Sequence, residues 1–181
     1  MKIATERLVM RPYGSDDLQA YYKLLSDKDN LYYLGDIVVE NLEEARLSLQ
    51  EATHKMQKGE ASRFAVTLDG KLIGGIGYDI TDITPIGKIG HMGWFLMPEY
   101  HNKGYITEAT RALLNYAFTQ DNCIRITTGC YRENLPTQKV MEKVGFRKEA
   151  EKLKAAWHDG KMKDRLEFAI NRKEWTHENN K

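Results

Sequence analysis

The chain has 181 residues, 41% of them apolar, with a formal net charge of +1. That length suits a single domain over 1–181, and the near-zero charge leaves no electrostatic footprint for nucleic acid. No apolar run approaches the about 20 residues of a membrane helix.

MKIATERLVM has no long apolar stretch before a small-residue site, so no signal peptide is expected. Residues 6–12, ERLVMRP, alternate and predict a strand stopped by Pro12. Ser15 and Asp16 predict the cap of a helix over 16–27, with Leu18, Tyr21, Tyr22 and Leu25 on one face. Asn41 caps a second predicted helix over 42–58, which Gly59 stops. Its inner stripe is Leu42, Ala45, Leu49, Ala52 and Met56. Two strands, RFAVTL and KLIGGIGYDI, are joined by Asp69-Gly70, a strong hairpin signal. The cluster GGIG at 74–77 reads as strand interior. Pro85 and Gly87 mark 81–89 as a looser connection into a strand over 90–97, ended by Pro98.

A helix over 105–119 follows, with Ile106, Ala109, Leu113, Tyr116 and Ala117 on one face. CIRITTGCY, 123–131, alternates and predicts a strand. Cys123 and Cys130 fall in it, so the reading is a reduced, cytoplasmic protein without a disulfide framework. Asn134 opens a helix, NLPTQKVMEKV, with Pro136 in its first turn and Gly145 past its end. A charged segment, a turn at Asp159-Gly160, a last strand near 164–171 and a frayed polar tail over 172–181 complete the chain. The five histidines are scattered without metal-ligand spacing, so no metal is expected.

The central strand–helix–strand, 90–97, 105–119 and 123–130, is a right-handed crossover between parallel strands. The expected fold is α/β: one twisted, mostly antiparallel mixed sheet with a central parallel pair, flanked by about four helices. Within GHMGWFLMPEYHNKGYITEA, 90–109, Gly104 falls where the predicted helix begins. Backbone N–H groups at the positive end of a helix form a seat for phosphate or pyrophosphate. The plainer reading of a lone glycine there is an ordinary turn. Neither G-x-x-x-x-G-K-[ST] nor G-x-G-x-x-G occupies a strand-to-helix turn in this sequence.

Four segments in order, TERLVMRP, GWFLMPEYHNKGYITEATRALLNYAF, RENLPTQKVMEKVGFRKEA and WHDGKMKDRLEFAINRKEW, resemble the GNAT superfamily of acetyl-CoA-dependent N-acetyltransferases. Within it they resemble the ribosomal-protein-alanine N-acetyltransferase branch, over almost the whole chain. The family's Arg/Gln-x-x-Gly-x-Gly/Ala signature falls on His101, Gly104 and Ile106, of which Gly104 keeps the family residue. The resemblance implies acetyl-CoA as co-substrate. It places the pyrophosphate on Asn102, Lys103, Gly104, Tyr105, Ile106 and Thr107, and the pantetheine arm along Phe95, Leu96 and Met97. It makes Asn134 a side-chain ligand to the cofactor, and requires the parallel strands to splay, with a bulge near Leu96.

Acetyl transfer needs a neutral amine, a stabilised oxyanion and a departing thiolate. The strand amides of Phe95, Leu96 and Met97 are candidate oxyanion donors. An α-amine, with a pKa of about 7.7–8, is roughly 10% neutral at pH 7, against well under 0.1% for a lysine amine. A weak base suffices for the first. His91 is the candidate base, at a position where relatives often carry Glu; the plainer reading is a strand histidine satisfied by backbone. Thr137 matches a serine that serves relatives as acid, against the alternative of a local backbone bond. Glu108, in a first turn, is a catalytic candidate or a helix-dipole partner. Many relatives use a tyrosine as acid where this chain has Met141. Trp157, His158 and Asp164 resemble residues near the substrate side, or else pack a loop and form a turn. The expected acceptor is a protein N-terminal α-amine. The alternatives are a polyamine, amino acid or aminoglycoside, or acetyl-CoA binding without catalysis. Exposed strand edges are compatible with a homodimer; no nucleic-acid or membrane partner is expected.

Overall fold

Asp69 and Gly70 both take positive φ, 50° and 77°, as a two-residue hairpin turn requires. They join β3 (Ala61–Leu68) to β4 (Lys71–Thr84), with Arg63 opposite Gly77 and Phe64 opposite Ile76. The computed structural model describes residues 1–179, with backbone alone at 35–36 and 176–179. Its eight strands form one mixed sheet in the order β1-β2-β3-β4-β5-β6-β8-β7. This is the expected α/β architecture, a mixed sheet whose β5–β6 pair is parallel. The described chain divides into two compact units: Met1–Asp79 with Gly93–Leu113, and Ile80–Met92 with the chain from Leu114 on.

In the first unit the predicted strand 6–12 shortens to β2 (Val9–Arg11), paired antiparallel with both β1 (Ile3–Ala4) and β3. The cause is a turn between β1 and β2: Thr5 Oγ1 accepts from Leu8 N–H at 2.9 Å and Thr5 N–H donates to Leu8 O at 2.9 Å. Helix α1 (Leu18–Leu25) starts later than predicted. Asp17 is buried instead, taking Arg11 through two bonds of 2.6 and 2.8 Å and the Gly14 N–H at 2.8 Å. Helix α2 (Leu42–Gln57) is capped as expected, with Asn41 Oδ1 accepting from Glu44 N–H. Tyr21 and Leu25 of α1, Ala45 and Leu49 of α2, Ala65 of β3 and Leu72 of β4 share one apolar core.

β4 and β5 (Gly87–Leu96) run through the segment predicted to be a loose connection. Pro85 and Ile86 form the turn between them, where no ladder N–H is needed from Pro85. Thr84 Oγ1 closes the turn on Gly87 O at 2.7 Å.

Helix α3 (Tyr105–Thr119) and strand β6 (Cys123–Tyr131) follow, as expected. The parallel β5–β6 ladder runs from Lys88↔Cys123 to His91↔Thr127 and ends there, although both strands continue. Its register irregularity lies between Lys88 and Ile89. Helix α4 (Leu135–Val144) ends at Gly145, φ 99°. Strands β7 (Arg147–His158) and β8 (Lys161–Asn171) form a hairpin around Asp159-Gly160. β7 is the segment whose charge hid it: most of its residues are exposed, as suits a sheet edge. Cys123 and Cys130 are buried free thiols on β6. Burial pushes the Cys130 thiol up to about 11.

Residues 172–179 form helix α5 (Arg172–Asn179) where a frayed tail was expected; 180–181 lie outside the described residues. Trp175 is buried, its ring 6.4 Å from Phe118, and Glu174 accepts the Asn171 N–H at 2.8 Å. No helix among the described residues is long and apolar enough to cross a membrane.

Candidate functional site

Pro98 opens a single 3-10 turn over Pro98–Tyr100, and four residues then lead into α3. Two of them, Asn102 and Gly104, have φ of 59° and 80°. Glycine and asparagine are the residues that take this conformation at least cost. A methyl group at Gly104 would meet Arg7 only at 3.4 Å, so glycine supplies the torsion angle, not space. The first helical bond runs from Glu108 N–H to Gly104 O, 3.0 Å. The amides of Tyr105, Ile106 and Thr107 precede that bond and have no acceptor within the helix. Three donors at the positive end of a helix are an anion seat of the expected kind.

Glu108 would bring a negative charge into that seat. Its carboxylate accepts from Thr5 Oγ1, from Arg7 N–H at 3.0 Å and from Arg7 Nε at 2.7 Å, and pairs with the far guanidinium nitrogen at 2.6 Å. Burial pushes its pKa up, but the bonds from Thr5 and Arg7 outweigh burial and hold it below the ordinary value. It stays ionised, neutralised and saturated with donors, which is a poor state for a base. The same guanidinium donates to Lys103 O at 3.0 Å and lies 4.6 Å over the Tyr105 ring. Arg7 therefore braces the loop and cancels the charge of Glu108. Sequence reasoning did not single it out, because its partners lie about a hundred positions away and only the TERLVMRP likeness touched it.

At the strand end, Leu96 O accepts from His101 Nε2 and from Asn30 Nδ2, both at 2.9 Å. His101 thus holds the exit of β5. The Met97 N–H donates to Ile73 O at 2.8 Å, which removes it from the candidate oxyanion donors. Amides alternate in direction along a strand, so Leu96 N–H faces the other edge.

The second unit carries the remaining candidates. His91 Nδ1 lies 3.0 Å from Thr127 Oγ1, and Thr127 Oγ1 donates to Gly90 O at 3.2 Å. Which of the two atoms donates depends on the imidazole tautomer. Asn134 Oδ1 caps α4 by accepting the Thr137 N–H at 3.3 Å, leaving Nδ2 as its other hydrogen-bonding group. Among the described residues the Thr137 hydroxyl has no partner within hydrogen-bonding distance, so the expected local backbone bond is not made. Met141 is fully buried. His158 stacks on Tyr131 at 4.7 Å, while Trp157 is 70% exposed. Asp164 accepts the Lys154 N–H at 2.8 Å, where the β7–β8 register shifts, and pairs with Arg132 at 3.2 Å, and these bonds hold it below the ordinary carboxylate value. Among the described residues no group of three or more His, Cys, Asp or Glu could hold a metal ion.

A family profile described as "Acetyltransferase (GNAT) domain" matches residues 7–147. The chain is a GNAT acetyltransferase. The match begins at Arg7 and takes in β2 to α4, including His91, the 101–108 loop, Asn134 and Thr137. This GNAT enzyme is similar to the uncharacterized N-acetyltransferase YnaD of Bacillus subtilis (strain 168), at 33% identity over 178 residues, 97% of this chain and 99% of the relative. It is similar to a solved GNAT-family acetyltransferase from Bacillus anthracis, at 31% identity and a TM-score of 0.82, covering 96% of this chain and 99% of that one. RimL, a ribosomal L7/L12 alpha-N-protein acetyltransferase solved with coenzyme A, shares the fold at a TM-score of 0.86 and 19% identity, covering 94% and 98% of the two chains.

Proposed function

We propose that this GNAT enzyme moves an acetyl group from acetyl-CoA directly to a protein N-terminal α-amine. The observation that carries the cofactor half is the run of three amides at Tyr105, Ile106 and Thr107 with no helical acceptor, beside a neutralised Glu108. In this reading the diphosphate rests on Asn102–Thr107, the pantetheine arm follows Phe95–Met97 and Asn134 Nδ2 adds a side-chain bond.

The amine nitrogen attacks the thioester carbonyl carbon, and the developing oxyanion takes the Leu96 N–H. The imidazole of His91 receives the proton lost by the amine. The C–S bond breaks and the thiolate, that of a thiol near a pKa of about 8.5, leaves as the anion with the Thr137 hydroxyl donating a hydrogen bond to it, and His91 passes the amine's proton to solvent. Glu108 and His101 have no chemical part; they hold the loop and the strand end.

The α-amine is favoured because the base is an imidazole and the position of the family's tyrosine is Met141. A base of this strength matches an amine with a pKa of about 7.7–8 better than one near 10.4. The test is to incubate the protein with acetyl-CoA and a panel of N-terminal peptides, lysine side-chain amines and polyamines, following free CoA. Fastest release with the peptide α-amines is expected. Release no faster than in buffer with every acceptor would end the proposal.

A further inference from the structure

His91 stands opposite Thr127, Gly129 opposite Glu167 and Tyr131 opposite Arg165. Opposed residues share a face of the sheet, and so does every second residue along a strand. One face of β6 and β8 therefore carries three rows beginning at His91: Thr127, then Gly129 with Glu167, then Tyr131 with Arg165. Successive rows are about 7 Å apart. The opposite face carries Ile126, Thr128 and Cys130 with Leu166, Phe168 and Ile170, all buried. The core lies on that side, so the face of His91 is the open one. His91 is exposed there, and Gly129, Tyr131, Arg165 and Glu167 are half-buried.

A methyl group at Gly129 would stand 3.0 Å from Leu166 O, 3.2 Å from Glu167 Oε2 and 3.3 Å from Arg165 Nη2. Glycine leaves the room into which a carboxylate and a guanidinium both reach, yet the two do not pair with each other. Glu167 is balanced by Lys152, whose Nζ lies 3.3 Å from Oε1. The Arg165 guanidinium lies 5.3 Å over the Tyr131 ring and, among the described residues, makes no hydrogen bond or ion pair. Around Gly129 two cations thus meet one carboxylate, and the charge left over is that of Arg165. A guanidinium held flat on an aromatic ring, with its donors uncommitted, is suited to bind a carboxylate through two parallel bonds.

We propose that Arg165 is a specificity residue, binding a carboxylate of the acceptor while the acceptor's amine lies against His91. The guanidinium reaches back over Gly129, one row from Thr127, so the carboxylate must lie within about 7 Å of the amine. This rests on the acetyl-transfer reading and narrows its substrate class. Two sources supply that chemistry: a peptide with an acidic side chain at its first or second residue, and a free α-amino acid. A polyamine brings a second cation to Arg165 and is repelled.

The test uses acceptor pairs that differ only in the carboxylate: N-terminal peptides with aspartate or asparagine at the second residue, and an α-amino acid with its amide. Spermidine is the cationic control. The unmodified enzyme should show a KM about tenfold lower for the carboxylate member of at least one pair. Arg165→Met keeps an apolar stem on Tyr131 and removes the charge. It should abolish that gap by raising the KM of the carboxylate member, lower the KM of spermidine and leave the KM for acetyl-CoA as it was. Arg165→Lys should keep part of the gap. A gap in the peptide pair identifies a side-chain carboxylate, and one in the amino-acid pair the α-carboxylate; either supports the inference. No gap in either pair with the unmodified enzyme would overturn it without any variant. So would an equal loss for both members of a pair in Arg165→Met, or a weakened affinity for acetyl-CoA. In those cases turnover of amines still upholds the acetyl-transfer reading; no turnover of any amine overturns both.

Discussion

Glu108 and His91 are both titratable residues at positions where a catalyst could stand, and their surroundings assign them opposite roles. Glu108 has its carboxylate taken by Thr5 and by the backbone and side chain of Arg7. His91 has Nδ1 3.0 Å from Thr127 Oγ1, in a chain that runs on to Gly90 O. Residue type marks what can titrate. The partners around a group decide which charge state it holds: the Thr5 hydroxyl and the Arg7 guanidinium fix Glu108 as a carboxylate, while His91 meets a neutral hydroxyl.

The sharpest way to break this contrast is His91→Ala, which should lower kcat about 100-fold at neutral pH, the usual scale for a lost general base. Calorimetry should show CoA affinity unchanged. Next comes Arg7→Met, which uncovers the charge of Glu108 beneath the diphosphate. CoA affinity should fall about tenfold, and adding Glu108→Gln should recover part of it, because the second change removes the exposed charge. A tighter single than double variant would contradict the brace. Thr127→Val removes the hydroxyl that orients the imidazole through Nδ1 and should cost several-fold in kcat, less than losing the ring itself.

The smallest effect concerns pH. The pKa of Glu108 is held below its ordinary value of 4.5. The ionised form is therefore favoured by folding, and its contribution is present above the unfolded value and lost as pH falls through the folded one. As pH falls below the ordinary value of 4.5, Glu108→Gln should lose less thermal stability than the parent. An identical pH slope would show that the carboxylate is not held by its neighbours.

What was legible in the sequence was local. Asp69-Gly70, the Asn41 cap and the Asn134–Gly145 bounds each declare themselves within a few residues, and the structure forms each of them. The loop around Gly104 and the strand leading to it were legible too, since strand, glycine and helix start are adjacent in the chain. β7 was not legible, because an edge strand needs no apolar alternation and this one carries charge along its length. α5 was missed because, among its described side chains, Trp175 alone is buried and the segment is otherwise polar. The Arg7 brace and the Tyr13–Gly75–Phe95 contact join residues far apart in sequence. No periodicity or motif spacing encodes such contacts.

The most direct test of the central claim is a crystal structure grown with coenzyme A. The diphosphate oxygens should lie about 3 Å from the main-chain nitrogens of Tyr105, Ile106 and Thr107. A nucleotide bound elsewhere, with those amides facing solvent, would contradict the account.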